Sequence, residues 1–246
     1  MQEAPGTQLP STYNVVYGTE GIDRTTRTAV GASPREGHRD TRVPLARFRG
    51  IRHRSESDAV VSLLAALEAK DPYTHRHSIH VSVYAKILAR ALSLGDHEIH
   101  VVQTAALLHD IGKIGIPDEI LKKPGRLTVD EFATMKQHSE IGAEILRPVG
   151  FLFRESVLVL HHHEWYDGTG YPGGLCGEAI PYGARIIQVA DSIDAMISPR
   201  SYKPGRSIEH VMVELYKGRA KQFDPAVADV AADRLMQHPD LLALAV

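Results

Sequence analysis

Apolar residues recur at helical spacing through almost all of the chain after about residue 55, and this pattern restricts the fold more than any other feature. Val60, Leu64 and Leu67, for example, fall on one face of a first predicted helix. Almost no segment alternates between apolar and polar residues, as a half-buried strand would. We therefore predict that residues 55–246 form an all-α domain, built as a helical bundle.

Capping residues and breakers mark where these helices begin and end. Thr128 and Glu131 have the spacing of a capping box. We also expect Asp96 to cap the third helix, Pro181 to occupy the first turn of a long later helix, and residues 116–123 to form a loop or short turn. The main predicted helices span residues 57–70, 73–92, 96–109, 139–146, 180–196, 207–216 and 225–236, and a further apolar segment spans 156–162.

Composition limits the surroundings and the partners of the chain. The formal net charge is −2, so the chain as a whole does not attract polyanions and we expect neither DNA nor RNA as a partner. The single cysteine, Cys176, excludes an internal disulfide and fits a reducing compartment. No apolar run approaches the ~18 residues of a membrane span. Because the N-terminus also lacks the pattern of a secretory signal, we expect a cytoplasmic location.

The first 54 residues contain many glycines and prolines, show no sustained period and are rich in arginine from Arg24 onward. We predict a poorly ordered segment ahead of the helical domain. It is a solvated tail without a specific role, a flexible basic arm, or the remnant of a link to a sensor domain.

The segment LLHDIGKIGIP places His109 and Asp110 side by side, where an apolar helix gives way to a glycine-bearing turn. An imidazole beside a carboxylate suits Mn, Fe or Zn better than Ca. A solvated His-Asp pair would explain this dipeptide alone, but further histidines and an aspartate follow at other helix ends. The candidate metal ligands are His77, His109, Asp110, His138, His162, His163 and Asp191.

Seven ligands are too many for one tetrahedral ion. They suit two ions about 3.5–4 Å apart, with Asp110 as the bridging carboxylate and a bridging water whose pKa falls toward ~7, which gives a hydroxide. We interpret the other histidines of this part of the chain as surface or hydrogen-bonded side chains, although His161 could orient a ligand from behind. They are His75, His80, His97, His100, His161, His210 and His238.

Five motifs in order resemble the HD-GYP family of the HD phosphohydrolases. They are LEAKDPYTHRHS, HDIGKIGIPDEILKKPG, KQHSEIGAEIL, HHHEWYDGTGYPGGLCGEAIP and ADSIDAMISPRSYK, and the resemblance covers about residues 57–236. It implies an HD-domain helical bundle with a glycine-rich loop at Gly170-Tyr171-Pro172. It also implies a phosphodiesterase that hydrolyses cyclic di-GMP to pGpG, and in some members on to GMP, at a di- or trinuclear Fe or Mn centre.

The resemblance also implies roles for individual residues. It assigns all seven candidate ligands to the metals. Lys113 corresponds to a lysine that contacts the scissile phosphate, and Tyr171 to a residue that contacts a guanine or a phosphate. Arg200 and Lys203 correspond to residues that hold the phosphates of the ligand. Asp194 lies one turn from the ligand Asp191, where it could support that ligand or accept a proton.

Two positions depart from the family pattern. Tyr73 stands where trinuclear members carry a glutamate, so we expect two divalent ions, Fe or Mn, rather than three. Trp165 stands where a basic residue is common, which could weaken contact with the ligand or simply pack against the loop.

Two alternative functions stay open. One is an HD hydrolase that acts on another nucleotide, such as a different cyclic dinucleotide. The other is a catalytically weak module that binds cyclic di-GMP or a protein partner. The apolar face of the first predicted helix could also pair two copies of the chain, and a sensor or signalling protein is a further possible partner.

Overall fold

All regular secondary structure in the described part of the chain is helical. The computed structural model describes residues 56–198 and 205–238, where the only strand-like pairings are two isolated bridges. The predicted all-α class is therefore confirmed. The predicted N-terminal segment, residues 1–54, lies outside the described residues, and so do Arg200 and Lys203.

Ten α-helices follow one another in these two ranges, joined by short turns and by one long loop ahead of α8. They are α1 Glu56–Lys70, α2 Pro72–Ala91, α3 Asp96–Leu108, α4 Asp118–Leu121, α5 Val129–Lys136, α6 His138–Leu146, α7 Phe153–His161, α8 Tyr182–Ile197, α9 Ile208–Gly218 and α10 Pro225–Gln237. Short 3₁₀ segments span Ile111–Gly115, Gly150–Leu152 and Gly177–Ala179.

Helices α2, α3 and α8 pack against one another at the centre of the bundle. Most residues of α8 are buried, among them Ile186, Ile187 and Ile193. Burying one such side chain contributes roughly 1.5–3 kcal/mol, so these three helices form a rigid frame. The frame carries His77 on α2, His109 at the end of α3 and Asp191 on α8.

The 3₁₀ segment after α3 packs closely against α6 through two glycines. A Cβ added to Gly112 would lie 1.8 Å from the carbonyl oxygen of His138 and 2.5 Å from the backbone nitrogen of Gly142. The two backbones can approach this closely only because Gly112 has no side chain. This contact brings His109 and Asp110 next to His138.

Several predicted boundaries need correction. Gly95, and not Asp96, is the N-cap residue of α3, and it makes no side-chain cap. Asp96 is instead the first helical residue, where a carboxylate is favoured by the helix dipole. Pro181 precedes α8 rather than lying in its first turn. The segment predicted as a loop or short turn, residues 116–123, contains the four-residue helix α4.

Other local predictions are confirmed. The Thr128 hydroxyl accepts a hydrogen bond from the Glu131 N–H, and the Glu131 carboxylate accepts one from the Thr128 N–H, which completes the capping box. The apolar segment predicted from residue 156 is part of α7, which begins three residues earlier at Phe153. None of the described helices is both long and apolar enough to cross a bilayer.

Candidate metal centre and active site

The His-Asp pair after α3 is buried. His109 is 1% exposed and Asp110 is 2% exposed, which excludes the solvated pair considered from the sequence. His109 is the C-cap residue of α3, and its Nδ1 donates a hydrogen bond of 2.7 Å to the carbonyl oxygen of Ala106. A carbonyl can only accept, so Nδ1 carries a proton and Nε2 is the nitrogen left to bind a metal.

His138 and His162 repeat this arrangement. His138 Nδ1 donates to the carbonyl of Met135 at 2.8 Å, and His162 Nδ1 donates to that of Val159 at 2.6 Å. Each carbonyl belongs to the last turn of a helix, where it lacks an intrahelical partner. The helix ends therefore fix the ring orientations and leave each Nε2 free to bind a metal.

His77 is held from both sides by carboxylates of α8. Its Nδ1 lies 2.6 Å from Asp194 Oδ2, and its Nε2 lies 3.0 Å from Asp191 Oδ1. Burial alone would lower the pKa of His77, but the hydrogen bonds to Asp191 and Asp194 outweigh it and raise the pKa to about 9. Binding a metal at Nε2 would therefore release a proton from this ring.

The structure brings all seven predicted ligands together. Their donor atoms form three groups in which the atoms lie within 4.8 Å of one another: His138 with His162 and His163, His77 with His109 and Asp191, and His109 with Asp110 and His162.

The two carboxylate oxygens of Asp110 face different histidines. Oδ2 lies 3.4 Å from His109 Nε2, whereas Oδ1 lies 3.5 Å from His138 Nε2. The carboxylate of Asp110 thus lies between His109 of one ligand group and His138 of another.

The donor atoms suit a cation. His138 Nε2 and His162 Nε2 lie 3.3 Å apart, although the protons of both rings are held at Nδ1 by backbone carbonyls. Two lone pairs that face each other repel unless a positive ion lies between them. Imidazole nitrogens combined with carboxylate oxygens are a ligand set for Mn, Fe or Zn. The residues present therefore fit a transition-metal centre.

Three of the histidines and Asp110 already have the charge that metal binding requires, whereas His77 would have to lose a proton. Burial lowers the pKa of His138 and His162, and it lowers that of His163 to about 3, so these rings are neutral. Burial alone would raise the pKa of Asp110, but Lys113 and His109 outweigh it and hold the pKa well below its usual value. Neutral imidazole and ionised carboxylate are the forms that bind metals.

A cavity of about 380 Å³ opens onto this centre. His109, Asp110 and His163 are among the residues of its wall. Lys113 also lies on the wall, and its ammonium group donates a hydrogen bond of 2.6 Å to Asp110 Oδ2. The cavity therefore combines the metal ligands with a cation at the same place, which suits an anionic ligand.

The glycine-rich loop folds back over the histidines and places an aromatic ring in the cavity. A Cβ added to Gly170 would lie 2.1 Å from the backbone nitrogen of Trp165, so only glycine allows this approach. The N–H of Tyr171 donates to the carbonyl of His163 at 3.1 Å, and their rings stack with centroids 4.8 Å apart. Burial raises the pKa of the Tyr171 phenol, which therefore stays protonated.

Sequence reasoning missed the role of Glu164. This residue is 1% exposed, and its carboxylate accepts hydrogen bonds from the N–H groups of Gly173 at 2.6 Å and Leu175 at 3.1 Å. His161, interpreted from sequence as a surface or hydrogen-bonded side chain that could orient a ligand, lies 3.4 Å from the same carboxylate through Nδ1. The position of Glu164 directly after three histidines was the available signal, since a carboxylate there can hold the loop that follows.

We expect Glu164→Gln to loosen this loop and to lower the kcat/KM of the activity proposed below about tenfold. The amide replaces one acceptor oxygen by a donor that faces another N–H, and an unsatisfied buried donor costs about 1–3 kcal/mol. Steady-state kinetics would measure the loss, and metal analysis should show wild-type metal content. Glu178→Gln, an exposed change in the same loop, is the matched control. Equal kinetics for both variants would refute the role of Glu164.

The remaining predicted site residues lie at different depths. Asp194 has no exposed surface, and besides His77 it contacts His80 Nδ1 at 3.1 Å and accepts a hydrogen bond from Ser198 Oγ. Its contacts are those of a residue that positions His77 from behind. Tyr73, by contrast, lines the cavity and is 47% exposed, and Trp165 is 39% exposed at the surface.

Comparison with known proteins matches the sequence to one family. A family model described as HD domain covers residues 60–227. The cyclic di-GMP phosphodiesterase response regulator RpfG of Xanthomonas campestris pv. campestris is 43% identical over 176 residues, which are 71% of this chain and 47% of that protein. The 3′3′-cGAMP-specific phosphodiesterase 2 of Vibrio cholerae is 36% identical over 189 residues, which are 76% of this chain and 35% of that protein.

Solved structures show the same fold. The crystal structure of a cyclic GMP-AMP specific phosphodiesterase of V. cholerae, V-cGAP3, matches with a TM-score of 0.55 at 23% identity and covers 77% of this chain and 51% of that chain. The present chain spans less than half of the length of the two curated relatives described above.

Proposed function

Because the chain belongs to the HD domain family, we propose that it is a metal-dependent phosphodiesterase that hydrolyses cyclic di-GMP. All five motifs that resemble the HD-GYP group lie within the matched region. The proposed first product is linear pGpG, and a second cleavage would give GMP. The relative that is 43% identical bears the name of a cyclic di-GMP phosphodiesterase, which supports this substrate.

The position of Asp110 is the observation that carries the proposal. Its two oxygens face His109 and His138, which belong to different ligand groups. A carboxylate in this position can bridge two ions, which is the arrangement that stabilises both the attacking and the leaving oxygen of a phosphodiester. We therefore propose two divalent ions, Fe or Mn, with Tyr73 in place of the acidic residue that a third ion would need.

When bound, these ions would supply Lewis-acid stabilisation of the phosphate oxygens and a water of lowered pKa. The protein's own side chains orient the ligands and stabilise the charge of the phosphate. His109, His138 and His162 hold their rings in fixed orientations through backbone carbonyls, so no reorganisation is needed when the substrate binds. Lys113 lies on the cavity wall, and its ammonium group, although it donates to Asp110 Oδ2, would also offset the negative charge that develops on the phosphate during cleavage.

The Lys113 proposal predicts a kinetic defect without loss of metal. We expect Lys113→Ala to lower kcat about a hundredfold, since one removed donor to a developing oxyanion costs about 10²–10³ in rate. Metal analysis after loading with saturating Mn²⁺ should show wild-type metal content, because Lys113 contacts the ligand Asp110 but is not itself a ligand. Lys217→Ala, an exposed change on α9, is the control. An unchanged kcat in Lys113→Ala would remove this role.

Turnover by the purified protein tests the proposed function. The protein would be purified anaerobically, loaded with Mn²⁺ or Fe²⁺, and incubated separately with cyclic di-GMP and 3′3′-cGAMP, with products separated by chromatography. We expect pGpG from cyclic di-GMP, loss of turnover in EDTA, and a preference of at least about tenfold over 3′3′-cGAMP. A preference for 3′3′-cGAMP would favour the other cyclic dinucleotide, and binding without hydrolysis would favour a binding module.

A further inference from the structure

The ammonium group of Lys136 is held by aromatic rings beside the cavity. It lies 4.9 Å from the centroid of the Phe132 ring and 5.1 Å from that of the Tyr171 ring. Cations are attracted to aromatic faces at these distances. The Phe132 and Tyr171 rings therefore hold the ammonium group of Lys136 in place. An aromatic ring keeps the charge in place but does not neutralise it.

Lys136 differs in this respect from the lysines around it. Lys113 is paired with Asp110, Lys123 with Glu131, and Lys122 with Asp118. No carboxylate within ion-pair distance of Lys136 occurs in the described ranges. Its positive charge therefore remains available to an anion from solution.

The position of Lys136 is tied to the metal centre. It is the last residue of α5, and the carbonyl of the preceding residue, Met135, accepts the hydrogen bond that orients His138. The Tyr171 ring beneath the ammonium group lines the cavity and stacks on the His163 ring. A single aromatic side chain thus separates the Lys136 cation from a predicted metal ligand.

A cyclic dinucleotide carries two phosphodiester groups on opposite sides of its ring. When one of them is cleaved at the metal centre, the other keeps its negative charge and needs a partner a short distance away. We propose that Lys136 binds this second, non-scissile phosphate and that Phe132 and Tyr171 hold its ammonium group in place. This inference rests on the proposed function and adds a substrate-binding residue to it.

The test compares Lys136→Met, which keeps an unbranched side chain one atom shorter but removes the charge, with Lys136→Arg, which keeps the charge. Affinity for fluorescein-labelled cyclic di-GMP would be measured by anisotropy in EDTA. The kcat/KM of the Mn²⁺-loaded protein would be measured for cyclic di-GMP and for bis(p-nitrophenyl) phosphate, which has only one phosphate. Lys217→Met, on the exposed surface of α9, is the matched control.

We expect Lys136→Met to weaken binding about tenfold and to lower the ratio of kcat/KM for cyclic di-GMP over bis(p-nitrophenyl) phosphate by a similar factor, since a charge-assisted contact is lost. Lys136→Arg should stay within about twofold of the wild type. Unchanged binding in Lys136→Met, or an equal loss on both substrates, would overturn the inference. Wild-type binding without turnover would refute the proposed function, while the comparison of affinities would still decide the role of Lys136.

Discussion

The Asp110→Asn variant is expected to lose at least about a thousandfold in kcat/KM and to retain less than half of the bound metal. The amide keeps the size of the side chain, but it removes the charge and one of the two acceptor oxygens that face His109 and His138. Changes to groups that merely orient metal ligands already cost about 10–100-fold, and a carboxylate shared between two ions contributes more. Kinetics and metal analysis of one preparation would measure both effects.

Asp96→Asn is the matched control for this change. Asp96 is exposed at the first residue of α3, whereas Asp110 is buried just beyond the last residue of the same helix. Wild-type activity and metal content are expected for Asp96→Asn, with at most a few tenths of a kcal/mol lost from the helix dipole interaction. If Asp110→Asn retained both normal activity and normal metal content, Asp110 could not bridge the ions.

The Gly112→Ala variant is expected to lose about 3 kcal/mol or more in free energy of unfolding. The new methyl group would lie 1.8 Å from the carbonyl oxygen of His138 and 2.5 Å from the nitrogen of Gly142, and neither backbone atom can rotate away. Overpacking typically costs about 1–3 kcal/mol and more where nothing can yield, which corresponds to a fall of roughly 6–12 °C in Tm. Metal content should also fall, because Asp110 would move away from His138.

Gly150→Ala is the matched control, since a Cβ at Gly150 would meet nothing within 4 Å. Its Tm should change by no more than about 3 °C. Thermal unfolding in EDTA isolates the packing effect from the stabilisation that bound metal adds. A Gly112→Ala protein as stable as Gly150→Ala would show that the 3₁₀ segment and α6 do not pack as described.

The candidate ligands could be proposed from the sequence because each of them lies at or near a predicted helix end or a glycine- or proline-marked break. His109 and His162 lie where an apolar helical segment ends, and His138 lies at the head of the predicted helix over residues 139–146. Such signals depend on nearest neighbours along the chain, which is also why the helices themselves were predictable. The packing of the bundle brings these seven side chains together. The spacing of the motifs along the chain only implied this convergence.

The residues that support the site were not accessible in the same way. Gly112 is essential for the approach to α6, but nothing near it in sequence indicates which backbone it meets. His80 contacts Asp194 across 114 positions of the chain, and was interpreted from sequence only as a surface or hydrogen-bonded side chain. The ammonium group of Lys136, at the end of α5, lies over the Tyr171 ring of the glycine-rich loop. These partners are set by tertiary structure, which local patterns do not encode.

The most direct test is an anomalous difference map from crystals of the Mn²⁺-loaded protein. We expect two peaks about 3.5–4 Å apart, with Asp110 between them, one near His77, His109 and Asp191 and the other near His138, His162 and His163. A single peak, or peaks that Asp110 does not contact, would contradict the account.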